Sequence, residues 1–138
     1  MDRLDLQTLL GFDFGKQRIG IAVGQSITGT ATALCTISSH HGKPDWDRIS
    51  DLIDRWQPDA LVVGMPLHDD GTDSDISKAA RKFIRQLDGH YGLPVHTMDE
   101  RLSSHAAKQY MKQSTSKQEI DAVAAMIILQ NWLETKST

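Results

Sequence analysis

Three β-rich runs, "TLLGFDF", "RIGIAVGQ" and "TATALCTIS", stand within the first 38 residues, separated by gaps of only a few residues. Gaps that short cannot carry the crossover a parallel pair needs, so the runs must pair as an antiparallel meander. The turns fall at Gly15-Lys16-Gln17 and at Thr28-Gly29. Beyond them the pattern changes. "DWDRISDLIDRWQ" sets Trp46, Ile49, Leu52, Ile53 and Trp56 on one helical stripe, opened by Asp45 and stopped before Pro58. "ALVVGMPL" follows as a continuous apolar run, suited to a strand buried on both faces. A second helix runs from about Asp75 to Leu87, "GHYGLP" breaks the chain, and "VHTMDE" forms a short strand. "SSHAAKQYMKQ" reads as another helix, and the capping box from Ser116 to Glu119 opens a last one through "IDAVAAMIILQNWL".

The order is therefore β-β-β-α-β-α-β-α-α. Strands that alternate with helices pair in parallel, so the expected fold class is α/β. Its sheet should be mixed and five-stranded, with three antiparallel strands first and two parallel strands after, flanked by helices. No repeat, low-complexity tract or linker interrupts it, and residues 1–138 read as a single domain.

Hydrophobic residues make up 39% of the chain and aromatics 6%, enough for a core that is mostly aliphatic. The net charge of −3 argues against a protein that coats nucleic acid by bulk electrostatics. It does not exclude a nucleic-acid enzyme with a local basic patch or bound metal ions. A lone cysteine, Cys35, rules out an internal disulfide or a cysteine zinc cluster and reads as a small core residue. No apolar run of spanning length and no signal-peptide pattern is found, so a soluble cytoplasmic protein without a membrane partner is expected.

Against this background the carboxylates stand out. Period-two alternation sends Leu10, Phe12 and Phe14 to one face of the first strand and Leu9, Gly11 and Asp13 to the other. Asp13 thus ends an otherwise apolar strand. Asp99 and Glu100 end the last strand, and Asp121 shares a helix face with the small apolar residues Ala124, Ala125 and Ile128. Taken singly, an acid at a strand end or a helix start is usually structural. If the first strand is central, however, these acids converge at the carboxyl ends of the strands, where open α/β sheets place their sites. Clustered carboxylates repel unless a cation lies between them, and such hard oxygen ligands suit Mg²⁺ or Mn²⁺. Phosphodiester cleavage is the chemistry that cluster supports.

Four segments, "DFGKQRIGIAVG", "VVGMPLHDDGT", "DERLSS" and "IDAVAAMIIL", occur in this order along the chain. Together they resemble the Holliday-junction-resolvase-like family of pre-16S ribosomal RNA nucleases (the YqgF type). The resemblance covers nearly the whole chain. It implies an RNase H-like fold and a divalent-metal nuclease, using Mg²⁺ or Mn²⁺, in 5′-end maturation of the 16S rRNA precursor. Carried over by position, it implies Asp13, Glu100 and Asp121 as catalytic metal ligands, with Asp99 in support. It also leaves two alternatives: a nuclease on branched DNA, or a nucleic-acid-binding module in transcription or ribosome assembly with little cleavage. A monomer or weak homodimer is expected. The chain departs from many relatives in a short segment before the last helix, "KQSTSKQE", with only Lys112 and Lys117 as cations.

Arg18 and Arg101 each stand near a proposed ligand, where a guanidinium can hold a carboxylate's outer oxygen or meet a substrate phosphate. Lys78, Arg81, Lys82 and Arg85 fall at i, i+3, i+4 and i+7 of the second helix. That basic stripe is either a solvated face or a track for a phosphate backbone.

Overall fold

The computed structural model describes residues 7–15, 17–40, 43–65, 75–99 and 117–136. Its elements are β1 (Thr8–Phe14), β2 (Arg18–Gln25), β3 (Thr30–His40), β4 (Lys43–Pro44), α1 (Trp46–Trp56), β5 (Ala60–Met65), α2 (Asp75–Tyr91), β6 (Val95–Asp99) and α3 (Lys117–Lys136). The strands form one sheet in the order β4-β3-β2-β1-β5-β6. The meander is antiparallel, while β1 pairs β5 and β5 pairs β6 in parallel. β1 is therefore interior, with a partner on each side.

The sheet has six strands rather than the expected five. β3 runs two residues beyond "TATALCTIS", and Lys43 and Pro44 return to pair with His40 and Ser39. Two residues without alternation carry no strand signature, and Pro44 lacks the N–H a longer ladder would need. α2 also runs four residues past Leu87, through Gly89, and stops where Gly92 turns left-handed at φ 63°. Its last turn is held by Tyr91, whose hydroxyl lies 2.8 Å from Ser50 Oγ. A helical glycine costs only about 1 kcal/mol, which such tertiary contacts offset. The helix expected over "SSHAAKQYMKQ" and the cap at Ser116 lie outside the described residues.

The sheet's two faces are packed differently. Leu10, Phe12, Phe14, Ile19, Ile21 and Val63 face α1 and α2, with Phe83 of α2 at the centre. The Phe83 ring stands 5.6 Å from Phe12, 5.0 Å from Phe14 and 5.7 Å from Trp46. Cys35, half-buried, packs against this core rather than inside it. On the other face Leu9, Ala22, Ala60 and Val62 meet Ala125, Ile128, Leu129 and Leu133 of α3. Gln130 anchors α3 by accepting from Ala31 N–H at 2.9 Å and donating to the Gly29 carbonyl at 2.7 Å. Among the described residues, no helix is long and apolar enough to cross a membrane.

Candidate active site

Asp13 sits one residue from the carboxyl end of β1, between Gly20 on β2 and Gly64 on β5. All three share the face that α3 covers, because residues opposite one another in a sheet project to the same side. The two glycines decide what happens next. A Cβ at Gly20 would collide with the carbonyl oxygen of Asp121, and one at Gly64 with the Ile128 side chain. Their absence lets the backbone of α3 settle directly on the sheet. The first turns of α3 lie on Gly20, the cross-strand neighbour of Asp13, and carry Asp121 there with them.

Arg18 opens β2 two residues before Gly20 and so projects to the same face. Its Nε donates to Asp121 Oδ2 at 2.7 Å, with 37% of the Arg18 side chain and 21% of that of Asp121 exposed. Exposure tempers the pair's worth to stability. Its electrostatic consequence is local: a positive charge beside carboxylates that would otherwise repel. Gly15, Gln17, Arg18 and Asp121 line a shallow cavity of about 290 Å³ at this end of the sheet.

The structure brings together Asp13, Asp121 and Arg18 of the residues singled out from the sequence. Asp99 is placed elsewhere. It pairs with Met65, whose side chain belongs to the α1–α2 core, so Asp99 faces away from α3. Lys78, Arg81, Lys82 and Arg85 are exposed on α2, also on the far side of the sheet from Asp13. Glu100 and Arg101 lie outside the described residues. Strand periodicity alone gives Gly20 and Gly64 no role, although a glycine inside a strand often marks a close backbone approach.

Asp13 on its doubly paired strand and Asp121 on the packed helix are hard, anionic oxygen donors, the kind that fits a divalent cation such as Mg²⁺ or Mn²⁺ rather than a softer metal. Among the described residues no group of three ligating side chains forms.

A mixed sheet of this order, with an acid near the end of its central strand and a helix bearing a second acid laid over it, defines the RNase H-like class. Solved structures agree on the fold. The fowlpox virus resolvase bound to Holliday junction DNA superposes with a TM-score of 0.60 at 13% identity, covering 95% of this chain and 99% of that one. RuvC of T. thermophilus in complex with a Holliday junction superposes at 0.58 and 14%, covering 94% and 95%. The sequence goes further: residues 7–135 match the model of the RuvX family, described as Holliday junction resolvase. A Pseudomonas putida protein, provisionally named a pre-16S rRNA nuclease, is 49% identical over 139 residues, spanning 96% of this chain and 99% of its own. The chain belongs to the RuvX family.

Proposed function

We propose that this protein is a divalent-metal-dependent nuclease that cleaves phosphodiester bonds in RNA, acting in the cytoplasm on the 5′ extension of the 16S rRNA precursor. The name carried by its relatives supports the substrate. The observation that carries the chemistry is the seating of Asp121 on Gly20, beside Asp13, at the carboxyl end of the central strand. Asp13, Asp121 and Glu100 hold the metal in this reading. Mg²⁺ or Mn²⁺ bound there supplies Lewis acidity, polarising the phosphate and neutralising charge that develops on its oxygens.

The chain's own residues do the rest. β1, paired on both sides, holds Asp13 rigidly, and α3, locked by Gln130, holds Asp121. Arg18 offsets carboxylate repulsion, which for like charges a few ångströms apart amounts to roughly 2–4 kcal/mol at intermediate dielectric. Arg101 acts in support, while Asp99, on the opposite face of the sheet, takes no part at the metal. In this reading the exposed α2 stripe of Lys78, Arg81, Lys82 and Arg85, on the far face, meets phosphates of the flanking RNA.

The test is cleavage of a 5′-extended 16S rRNA fragment by purified protein in Mg²⁺ or Mn²⁺, beside Asp13→Asn. Metal-dependent shortening lost in the variant is expected. RNA binding by both proteins without cutting would favour a binding role instead, and cutting by Asp13→Asn would place the site elsewhere.

A further inference from the structure

We infer that Arg18 is a two-sided residue: one edge of its guanidinium fixes Asp121, and the other receives a backbone phosphate of the nucleic-acid substrate. The inference deepens the nuclease reading and takes the identity of its ligand from it.

The ion pair is made through Nε to one carboxylate oxygen, Oδ2. Arginine carries five N–H donors in a rigid plane, and Nε supplies only one of them. The two terminal nitrogens hold the other four along an edge whose spacing matches two oxygens of a phosphate. Arg18 also lines the 290 Å³ cavity with Gly15, Gln17 and Asp121. Gly15 keeps the turn beside the cavity tight: a Cβ there would come within 2.7 Å of the Arg18 carbonyl oxygen, so a side chain would force the turn to move. The cavity opens where β1 hands over to β2, with Asp121 in its lining.

Charge placement explains why a guanidinium suits this position. A phosphate brought to an acidic site meets repulsion, and Arg18, which lines the cavity together with Asp121, sets a positive charge there. An ammonium is a point charge with three donors on a flexible stem and has no planar fork to match a carboxylate on one edge and a phosphate on another. Arg18 thereby links substrate arrival to the placement of a metal ligand.

The experiment measures binding of a labelled single-stranded RNA oligonucleotide in EDTA across a range of KCl concentrations, so that no cleavage intervenes. Wild type is compared with Arg18→Gln and with Arg55→Gln, an exposed cation in the last turn of α1, on the far face of the sheet. Loss of one single-strand phosphate contact lowers the slope of log K against log salt by about 0.7. Arg18→Gln should show that drop, and Arg55→Gln should not. An unchanged slope in Arg18→Gln, or an equal drop in Arg55→Gln, would overturn the phosphate half.

The rise in Tm on adding Mn²⁺ reads the other half. Because Arg18 holds Asp121 in place, the rise should be smaller in Arg18→Gln than in wild type. An equal or larger rise would overturn that half. If Arg18→Gln fails to fold, Arg18→Lys keeps the charge and should bind RNA more weakly than wild type; equal binding would overturn the inference. Wild-type protein that shows the slope effect yet never cleaves RNA with Mn²⁺ would sink the nuclease reading alone.

Discussion

The two faces of the central sheet solve opposite problems. Toward α1 and α2 the strands present bulk, and three rings surround Phe83 with gaps filled by Leu, Ile and Val. Toward α3 they present little: Gly11, Gly20, Gly24 and Gly64 all stand where a Cβ would strike the helix. On the first face, side chains hold the helices and the layer is stable. On the second, side chains have been removed so that a helix backbone can approach an acid on β1. On the proposed reading, chemistry adds to packing on the α3 face alone, and substitutions on the two sides should fail differently.

The largest effect on folding is expected from Phe83→Ala, which empties the centre of the aromatic face. Loss of such a buried ring costs about 3–5 kcal/mol. Urea titration should show that loss, while Mn²⁺ still raises the Tm of the folded fraction. Gly20→Ala puts one methyl where the Asp121 carbonyl lies, an overpacking worth about 1–3 kcal/mol. Here the order of damage should reverse: RNA cleavage should fall by at least about 100-fold, equivalent to about 2.7 kcal/mol, because Asp121 is pushed from its place. Cleavage by Gly20→Ala at the wild-type rate would break the comparison.

Gln130→Ala leaves the Ala31 N–H and the Gly29 carbonyl without their α3 partner and should cost about 1–2 kcal/mol in urea titration. Because it loosens α3, activity should fall with it. Tyr91→Phe removes a hydrogen bond on the opposite face and should cost about 1 kcal/mol without changing cleavage. Burial, only partly countered by the Ser50 hydrogen bond, raises the Tyr91 pKa above its ordinary value of 10.0, with the Asp54 charge raising it further. The phenol's contribution to stability is therefore complete below pH 10 and is lost as pH climbs through its raised pKa. Denaturation midpoints above pH 10 should fall less steeply in Tyr91→Phe.

Much of this was legible in the chain. The short early gaps dictated the meander, and the alternation at Leu9 to Phe14 correctly divided the strand between two cores. The face of α3 that carries Asp121 with Ala125 and Ile128 was equally readable from helical spacing. β4 was not, because two residues have no period. The placement of Asp99 depended on its register with Met65, a long-range pairing that local pattern does not encode. The glycines beside Asp13 were visible as letters, but their role depends on what lies above them. A close approach belongs to the pair of elements rather than to either sequence.

On the proposed reading, Asp13 and Asp121 serve one metal site because α3 rests on Gly20. Mn²⁺ titration by calorimetry of wild type, Asp13→Asn, Asp121→Asn and the double variant tests this most directly. Each single substitution should weaken Mn²⁺ binding by at least about 10-fold, equivalent to about 1.4 kcal/mol, and the double variant should be little worse than either one. Wild-type affinity in Asp121→Asn would contradict the account.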